Sequence, residues 1–349
     1  MANANSIIEG GYLCDILAQP DALRETLAGL ASSAVLDGVA AQLQAGGFER
    51  IVLTGMGGSY WALQPLHLDL LQRGRASLLL ETSELVHYLP SLLDRQTLVI
   101  AVSQSGRSAE ILRMMEVKQP DCFTLAVTNT PGSPLALRAD AVVSTRAGAE
   151  FTVSCKTYVT ALMALKWLAD LLAGRGLSQS RDELEQAAPA AEAYLRAWRD
   201  HIHTAFAELT GVRRLFLLGR GSSLAAAGTG GLITKESAHF SAEGMSAAAF
   251  RHGPLEMIDA TLYALVFAGD PATAPLNRRL AQDIVRAGGR AVVAGEDAQP
   301  GLFRLPKVSA AVRPIVEILP VQMVTLALGA LAGREAGRFE RATKVTAEE

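Results

Sequence analysis

The stretch RIVLTGMGGS, residues 50–59, occurs in a second version as RLFLLGRGSS at residues 214–223. The two segments align without a gap at an offset of 164 residues, and two glycines and the final serine coincide. The same offset places TLYALV at 261–266 on TLVIAV at 97–102. Two separate matches at one offset indicate a tandem duplication of one structural unit.

Both copies begin with an unbroken apolar run, continue into a glycine-rich turn and then change to helical spacing. Such runs predict strands buried on both faces, and their alternation with helices predicts an α/β fold with a mostly parallel sheet in each copy. Helices on both faces would give the three-layer sandwich of flavodoxin-like domains. The predicted strands are 51–55, 77–81, 97–102, 123–128 and 141–144 in the first copy, and 214–219, 262–267 and 290–294 in the second.

The chain of 349 residues is long enough for two domains, each with its own core. We expect a lead-in segment at residues 1–30, a first α/β domain at 31–172, a linker with a helix at 173–195 and a second domain at 196–349. Residues 11–30 are amphipathic and are predicted to pack on the first domain.

The composition is half apolar and 19% charged, with a formal net charge of −3 and no basic block, which gives no support for nucleic-acid binding. The three cysteines, Cys14, Cys122 and Cys155, lack CxxC spacing, which favours a reduced setting. The N-terminus lacks a signal-peptide pattern, and the longest apolar run, 318–333, is shorter than a membrane span. We expect a cytoplasmic protein without a membrane partner, in which this run is a buried helix.

The segment SQSGRS, residues 103–108, follows the predicted strand 97–102 and opens a helix. Such a turn presents backbone N–H groups and the positive end of a helix dipole, and its hydroxyls and amide add neutral donors. These groups suit the three oxygens of a phosphate monoester. The alternative is that the serines only cap the helix and solvate a loop. The predicted phosphate ligands are Ser59, Ser103, Gln104, Ser105 and Ser108.

The second copy provides an internal control for this turn. At the position of residues 103–106 it has FAGD, residues 267–270. The fold therefore does not require the polar turn, which favours a ligand there. A dinucleotide site is the weaker alternative, because Tyr60 and Leu224 stand where the third glycine of G-x-G-x-x-G would be.

Several segments together resemble the double sugar isomerase (SIS) domain: the glycine-rich turns, SQSGRSAE at 103–110, SCKTYVTAL at 154–162 and RHGPLE at 251–256. More narrowly, the chain is similar to the isomerase half of glutamine–fructose-6-phosphate aminotransferase. It is also similar to stand-alone relatives, the glucosamine-6-phosphate deaminases and the deglycases of phosphorylated Amadori products. The likeness extends from residue 17 to TKVT at 343–346 and leaves no room for the glutaminase domain of the aminotransferase. It implies two tandem SIS domains.

The resemblance implies that Glu236 moves a proton between C1 and C2 of an open-chain sugar. Small residues surround it in sequence, and apolar surroundings would raise the pKa of its carboxyl and suit a general base. The alternative is a surface ion pair with Lys235.

The resemblance also implies that His252, which precedes Gly-Pro, opens the sugar ring. In the resembling enzymes this histidine comes from the neighbouring subunit, which implies a homodimer. Its alternative is a loop histidine that bonds its own turn.

The same resemblance implies roles for further residues. Ser154 and Gly57 would line the sugar site, and Lys344 would act from a C-terminal tail unless that terminus is frayed. Lys156 would be either a pocket residue or the structural partner of a helix end. His239 forms an E-x-x-H pair without a second carboxylate–histidine set, so we expect neither a metal nor a cofactor.

The chain departs from the family pattern on the helix that carries Glu236. Ile233 stands where the family has a second lysine, and Thr229 stands where the family has a glutamate one turn earlier. In the aminotransferase that lysine assists the amination chemistry. Lys235 could replace it only from a different side of the helix.

The function predicted from these residues is enzymatic. We expect isomerisation of a hexose 6-phosphate derivative, most specifically with release of ammonia from an amino-sugar phosphate as in glucosamine-6-phosphate deaminases. The alternatives are a deglycase of a phosphorylated Amadori compound, a plain phosphosugar isomerase and, in a different class, a non-catalytic regulator that binds a sugar phosphate.

Overall fold

The computed structural model describes residues 7–341 and 343–346. Residues 1–6 of the predicted lead-in segment, and residues 342 and 347–349 of the predicted second domain, lie outside the described residues. The described chain forms two compact units, and each contains one parallel sheet. We call them the first and the second unit, in the order of their sheets.

The sheet of the first unit has five parallel strands in the order β2-β1-β3-β4-β5, which is the flavodoxin-like order. Its strands are β1 (Arg50–Gly55), β2 (Ser77–Glu81), β3 (Thr97–Val102), β4 (Phe123–Thr128) and β5 (Ala141–Ser144). All five strands predicted for the first copy are therefore confirmed. Every residue of β3 is buried, because a central parallel strand is covered on both faces.

The helices from the N-terminus to the end of the first unit are α1 (Gly11–Leu17), α2 (Gln19–Gly29), α3 (Ala34–Gln44), α4 (Gly58–Ala62), α5 (Gln64–Gln72), α6 (Thr82–Tyr88), α7 (Ala109–Val117), α8 (Pro134–Arg138), α9 (Lys156–Leu172) and α10 (Leu177–Leu184). Val52, Val99 and Ala126 pack together with buried side chains of α6, α7 and α8 on one face of the sheet. Helix α9 contacts β4 and is buried over nearly its whole length.

The sheet of the second unit has four parallel strands in the order β7-β6-β8-β9. They are β6 (Arg214–Gly219), β7 (Ala242–Ser246), β8 (Leu262–Phe267) and β9 (Arg290–Ala294). The three predicted strands are present, and β7 is an edge strand that the sequence pattern did not predict. Its sequence, AEGMS, has no apolar run, and only Ala242 is buried.

The remaining helices are α11 (Ala187–Leu195), α12 (Trp198–Leu209), α13 (Leu224–Ala238), α14 (Ala274–Arg286) and α15 (Arg313–Leu331). Phe216, Ala264 and Val266 pack with Leu280 and Ile284 of α14 on one face of the sheet. Helix α13 contacts β6, β7 and α15. The architecture of both units is the α/β arrangement expected from the duplication.

The predicted placement of the lead-in segment is wrong for α1. Residues 7–20 group with the second unit, together with Glu150–Cys155, whereas the first unit begins at Asp21. Two contacts accompany this grouping: a Cβ on Gly337 would lie 2.7 Å from the Cβ of Tyr12 in α1, and Gln19 Nε2 lies 2.9 Å from Oε1 of Gln322 on α15. The division between Lys156–Glu185 and Gln186–Arg341 falls inside the segment predicted as linker and helix.

Helix α15 has 19 residues and is long and apolar enough to cross a membrane by length and composition alone. In the folded chain, 89% of its most apolar stretch is buried inside the protein. It packs on α12 and α13, so the prediction of a buried helix for residues 318–333 is confirmed for Ile318–Leu331.

Candidate active site

The turn after β3 is held in shape by its own side chains. Ser103 is buried, and its Oγ accepts a hydrogen bond of 3.0 Å from the Gly106 N–H. The Ser105 Oγ accepts a bond of 3.3 Å from the Arg107 N–H. Gly106 has φ +60°, a left-handed conformation in which glycine avoids the strain of other residues. Ser103 therefore contributes to turn geometry as well as offering a hydroxyl proton.

Three N–H groups of this turn, those of Gln104, Ser105 and Ser108, remain available for a ligand within the described residues. Within the described residues the backbone N–H groups of Ser105 and Ser108 have no hydrogen-bond acceptor, and both side chains are half-buried. Ser108 is the N-cap of α7, and its side chain makes no capping hydrogen bond. The alternative that these serines merely cap the helix is therefore not supported at Ser108. Unpaired N–H groups at a helix N-terminus favour an anion.

The first glycine-rich turn lies beside this turn, because β1 and β3 are paired with Gly55 opposite Val102. A Cβ on Gly55 would lie 2.9 Å from the Val102 carbonyl oxygen, so only glycine permits the close approach. Gly57 has φ +53° and precedes α4, which places the half-buried Ser59 in the first turn of that helix. The carboxyl ends of β1 and β3 form the switch point where ligands bind in such sheets.

The described C-terminal segment meets the same turn. The Thr346 carbonyl oxygen accepts a hydrogen bond of 3.1 Å from the N–H of Ala109, the first residue of α7. Lys344 lies two residues before Thr346 and is half-buried. Residues 343–346 are thus attached to the predicted phosphate turn. This placement favours a tail that takes part in the site over a frayed end.

The corresponding turns of the second unit hold a carboxyl of the protein itself. Ser223, the copy of Ser59, is fully buried and donates a hydrogen bond of 2.8 Å to Oε1 of Glu317. Asp270, the copy of Gly106, forms an ion pair with Arg313. Burial raises the pKa of Glu317 to about 8, against the lowering effects of Ser223 and Arg313. In the described part of the second unit, the hydroxyl at the position of Ser59 therefore already donates to a carboxyl, and an acidic side chain stands at the position of Gly106.

Glu317 is a residue that the sequence analysis did not identify. A signal was present, since Glu317 is the only acidic residue in the apolar stretch RPIVEILPVQMVTLALG, residues 313–329. Burial of a carboxyl without full hydrogen bonding is costly, so its position calls for an explanation. Its Oε2 has no hydrogen-bond partner within the described residues.

Glu236 is half-buried in the last turn of α13. Ile233 is fully buried, whereas Lys235 is exposed, so the two positions face different sides of the helix. Lys235 therefore does not replace the lysine that the family pattern has at position 233. Thr229 is also fully buried, so the two departures from the family pattern lie in the core.

His252 lies in an exposed loop between two short 3₁₀ turns, Ala249–Arg251 and Pro254–Met257. Its backbone N–H donates to the Ala249 carbonyl at 2.9 Å. Its imidazole forms no hydrogen bond with any described residue, so the alternative of a ring bonded to its own turn is not supported. Gly253, at φ +137°, gives the loop its sharp reversal.

The second unit places Glu236 and His252 at opposite ends of its edge strand β7. Helix α13 starts after the carboxyl end of β6 and ends, with Glu236, just before the start of β7. His252 follows β7, which runs parallel to β6 and ends beside Gly219. A helix of 15 residues is about 22 Å long, so its two ends lie far apart.

The other predicted site residues have separate surroundings. Ser154 is half-buried in the loop before α9. Lys156 is buried at the start of α9, and its Nζ donates to the Ala149 carbonyl at 2.6 Å, which fits the structural alternative. His239 ends α13 with φ +50° and faces Arg334 and Glu340. No group of three His, Cys, Asp or Glu side chains within residues 7–341 and 343–346 could hold a metal ion.

Comparison with known proteins agrees with the duplicated architecture. The family model of the SIS domain matches residues 47–171 and 208–294, which correspond to the two sheets. The chain belongs to the SIS domain family. Each unit contains one SIS domain, and the two domains follow one another in tandem.

A glutamine–fructose-6-phosphate aminotransferase from Pyrococcus horikoshii is 32% identical to the chain over 97% of its residues. The SIS chain spans 59% of the length of that relative. The C-terminal domain of glucosamine-fructose-6-phosphate aminotransferase from Francisella tularensis has the same fold, with a TM-score of 0.84, 20% identity and coverage of 95% and 98% of the two chains. A glucosamine-6-phosphate deaminase from Thermotoga maritima is also similar in fold, with a TM-score of 0.78, 16% identity and coverage of 96% and 99%.

Proposed function

We propose that this SIS protein is an aldose–ketose isomerase of hexose 6-phosphate derivatives that converts glucosamine 6-phosphate and water into fructose 6-phosphate and ammonia. The observation that carries the proposal is the turn after β3, where Ser105 and Ser108 keep N–H groups available at a helix N-terminus. The equivalent stretch of the second copy, residues 267–272, contains neither serine nor glutamine. A phosphate ester is the ligand that such a turn recognises.

The phosphate would be held by the Ser59 turn and by the turn of Ser103, Gln104, Ser105 and Ser108. The sugar would extend from it past Gly57 and Ser154. Lys344 would add a positive charge from the attached C-terminal segment. Because a phosphate anchors one end of an open-chain sugar, C1 and C2 would be kept at a fixed distance from that anchor, which is how binding lowers the entropic part of a barrier.

His252 would open the ring by taking the C1 hydroxyl proton and returning a proton to the ring oxygen. Glu236 would then remove the proton from C2 and deliver it to C1, while the C1 oxygen gains a proton and the amino nitrogen loses one, which converts the amino aldehyde into an imine at C2 with a hydroxyl at C1. Water adds to the imine and ammonia leaves, so the step requires no other reactant. Since the lysine position of the family is the buried Ile233 here, ammonia would leave without help from a lysine at that place.

His252 is exposed and lies at the end of β7 opposite to Glu236. This placement supports an active site shared between two copies of the chain. A homodimer would let each copy supply His252 to the Glu236 of the other. Mixing Glu236→Gln with His252→Asn, each inactive alone, would then restore about a quarter of the wild-type activity through mixed dimers. No recovery on mixing would contradict a shared site.

The direct test follows ammonia and fructose 6-phosphate after addition of glucosamine 6-phosphate to the purified chain. The two products should appear in equal amounts. Replacing Glu236 by Gln should lower kcat by about 10²–10⁴-fold, because a general base is lost, and should preserve substrate binding. Glu243→Gln, which changes an exposed glutamate of β7, is the matched control and should retain full activity.

Other outcomes select the alternatives. Interconversion of glucose 6-phosphate and fructose 6-phosphate without ammonia would indicate a plain isomerase, and release of an amino acid from a phosphorylated Amadori compound would indicate a deglycase. A stabilising thermal shift without any turnover would indicate a sugar-phosphate-binding regulator. The absence of both turnover and thermal shift with every hexose 6-phosphate would contradict the role assigned to residues 103–108.

A further inference from the structure

The second unit has a cavity of about 170 Å³ at the carboxyl ends of β8 and β9. Gly269 and Ala294, which follow or end these strands, line one side, and Arg313 and Glu317 of α15 line the other. This cavity lies at the carboxyl ends of the strands, beside the switch point between β6 and β8, and ligands of this class of fold bind at that end of the sheet. None of its lining residues belongs to the site proposed above.

Glu317 forms the inner wall of the cavity with an incompletely bonded carboxyl. The side chain is only 1% exposed. Its Oε1 accepts the hydrogen bond from Ser223, but Oε2 has no partner within the described residues. A buried carboxyl oxygen without a partner is costly, and a ligand with a hydrogen-bond donor would remove that cost.

The charges around the cavity favour a cation. Arg313 is paired with Asp270, and Arg278 is paired with Asp297 at 3.1 Å. Glu296 also lines the cavity and adds a third carboxylate to these two ion pairs. The two arginines and three carboxylates therefore sum to a formal charge of −1 before Glu317 is counted, and ionisation of Glu317 would make the charge more negative.

We propose that this cavity binds a small primary ammonium compound whose –NH₃⁺ group donates a hydrogen bond to Oε2 of Glu317. An ammonium group supplies both the donor that Oε2 lacks and the charge that the rim attracts. The volume limits the ligand to a small amine, because 170 Å³ does not accommodate a sugar phosphate together with its hydration. The proposal does not depend on the reaction assigned to the first unit.

Binding should be linked to the release of a proton. Burial raises the pKa of Glu317 to about 8; nearby Asp270 also raises it, while Ser223 and Arg313 lower it. The carboxyl is therefore mostly protonated at pH 7 and has to ionise to pair with an ammonium group. The apparent affinity should rise about tenfold from pH 6 to pH 7, since the ionised fraction rises by that factor.

The test uses methylammonium chloride as the probe and the full chain. Methylammonium should raise the melting temperature in a saturable way, whereas tetramethylammonium chloride at equal ionic strength should not, because it has no N–H donor. In Glu317→Gln the saturable shift should disappear. Asp297→Asn, which changes an exposed rim carboxylate, should retain it with less than about threefold weaker binding.

Calorimetry on the wild-type chain provides a second readout that does not require a variant to fold. Titration of methylammonium at pH 7 in two buffers with different ionisation enthalpies should show release of about 0.9 proton per site. An equal thermal shift in wild type and Glu317→Gln, or saturable binding without proton release, would overturn the proposal. The absence of any saturable response would do so as well.

Discussion

The turn after β3 and the turn after β8 have the same place in duplicated sheets but opposite contents. In the first unit, Ser105 and Ser108 keep N–H groups without an acceptor within the described residues. In the second unit, Ser223 already donates to Glu317, and Asp270 is paired with Arg313. The turn after β3 can therefore bind an anion from outside the protein. The turn after β8 instead contains the carboxylate of Asp270, and the neighbouring Ser223 is bonded to the carboxyl of Glu317.

The glycine geometry of the two units is nevertheless conserved by the duplication. Gly57 and Gly221 have φ of +53° and +57°, and a Cβ on Gly55 or Gly219 would lie 2.8–2.9 Å from a backbone oxygen. Folding thus requires the glycines in both units, while the hydroxyls of residues 103–108 have no counterpart in residues 267–272. The comparison separates the residues that form the turn from those that bind a ligand, and the following predictions test that separation.

The largest expected effect on stability concerns the glycines at positive φ in the two turns. Gly106→Ala would bring a Cβ within 2.2 Å of Ser133 Oγ, and this oxygen caps α8 by accepting from Ala136 N–H at 3.3 Å. Left-handed strain and a lost cap should together cost about 2–4 kcal/mol of unfolding free energy. Gly269→Ala, with its nearest neighbour at 3.3 Å, should cost about 1–2 kcal/mol. Urea unfolding measures the stability loss of each variant. Equal losses for Gly106→Ala and Gly269→Ala would contradict the larger cost expected at Gly106.

The next effect is a pH dependence that comes from the buried Glu317 of the second unit. The folded chain keeps a proton on Glu317 up to about pH 8, whereas the unfolded chain releases it near the ordinary glutamate pKa of about 4.3. Between these two pKa values, Glu317 should therefore lower the free energy of unfolding by about 1.4 kcal/mol for each unit of pH increase. Above the higher pKa its contribution should no longer change.

Glu317→Gln should remove this contribution. Urea unfolding of wild type and variant at pH 6 and pH 7 gives the difference directly, since all other titrating groups are shared. The wild type should lose about 1.4 kcal/mol relative to the variant over this interval. A constant difference between the two proteins would mean that Glu317 is ionised throughout, and would remove the reason for expecting proton release on ligand binding.

Most of the difference between the two turns could be predicted from the sequence, because the duplication shows which positions are equivalent. Eight of the nine described strands were predicted, since their apolar runs are continuous. The exception, β7, contains Gly244, where a Cβ would lie 1.9 Å from the Ala227 carbonyl oxygen of α13. A strand selected for close backbone approach to a helix has no apolar pattern to reveal it.

The contacts between distant segments were not accessible in the same way. Gln19, which groups with the second unit, forms a hydrogen bond with Gln322, and the two residues are 303 positions apart in the chain. The bond from Ala109 to Thr346 likewise joins two segments with no shared pattern. Periodicity reports which face of a segment is buried, but it does not report which other segment covers that face.

A matched pair of serine variants tests the two units at equivalent positions. Ser59→Ala should weaken binding of glucosamine 6-phosphate about 10- to 100-fold, as expected for one lost hydrogen bond to a charged group, with little effect on stability. Ser223→Ala should leave substrate binding unchanged and cost about 1–3 kcal/mol of unfolding free energy, because it removes a hydrogen bond from the buried Glu317. KM measures the effect of each variant on substrate binding, and the urea midpoint measures its effect on stability. If Ser223→Ala weakened binding and Ser59→Ala only lowered stability, the phosphate site would lie in the second unit instead of the first.

The smallest expected effect concerns the C-terminal segment, whose Thr346 carbonyl accepts a hydrogen bond from Ala109 at the turn of the first unit. Lys344 is half-buried two residues before this contact, so its charge lies near the proposed phosphate site but is partly screened by water. Lys344→Ala should raise KM for glucosamine 6-phosphate about two- to fivefold, and this factor should shrink at high salt. Lys307→Ala, at an exposed lysine of the second unit, is the control. An equal effect of both variants would show that the chain attracts its substrate through its overall charge, and the segment would then have no specific part in the site.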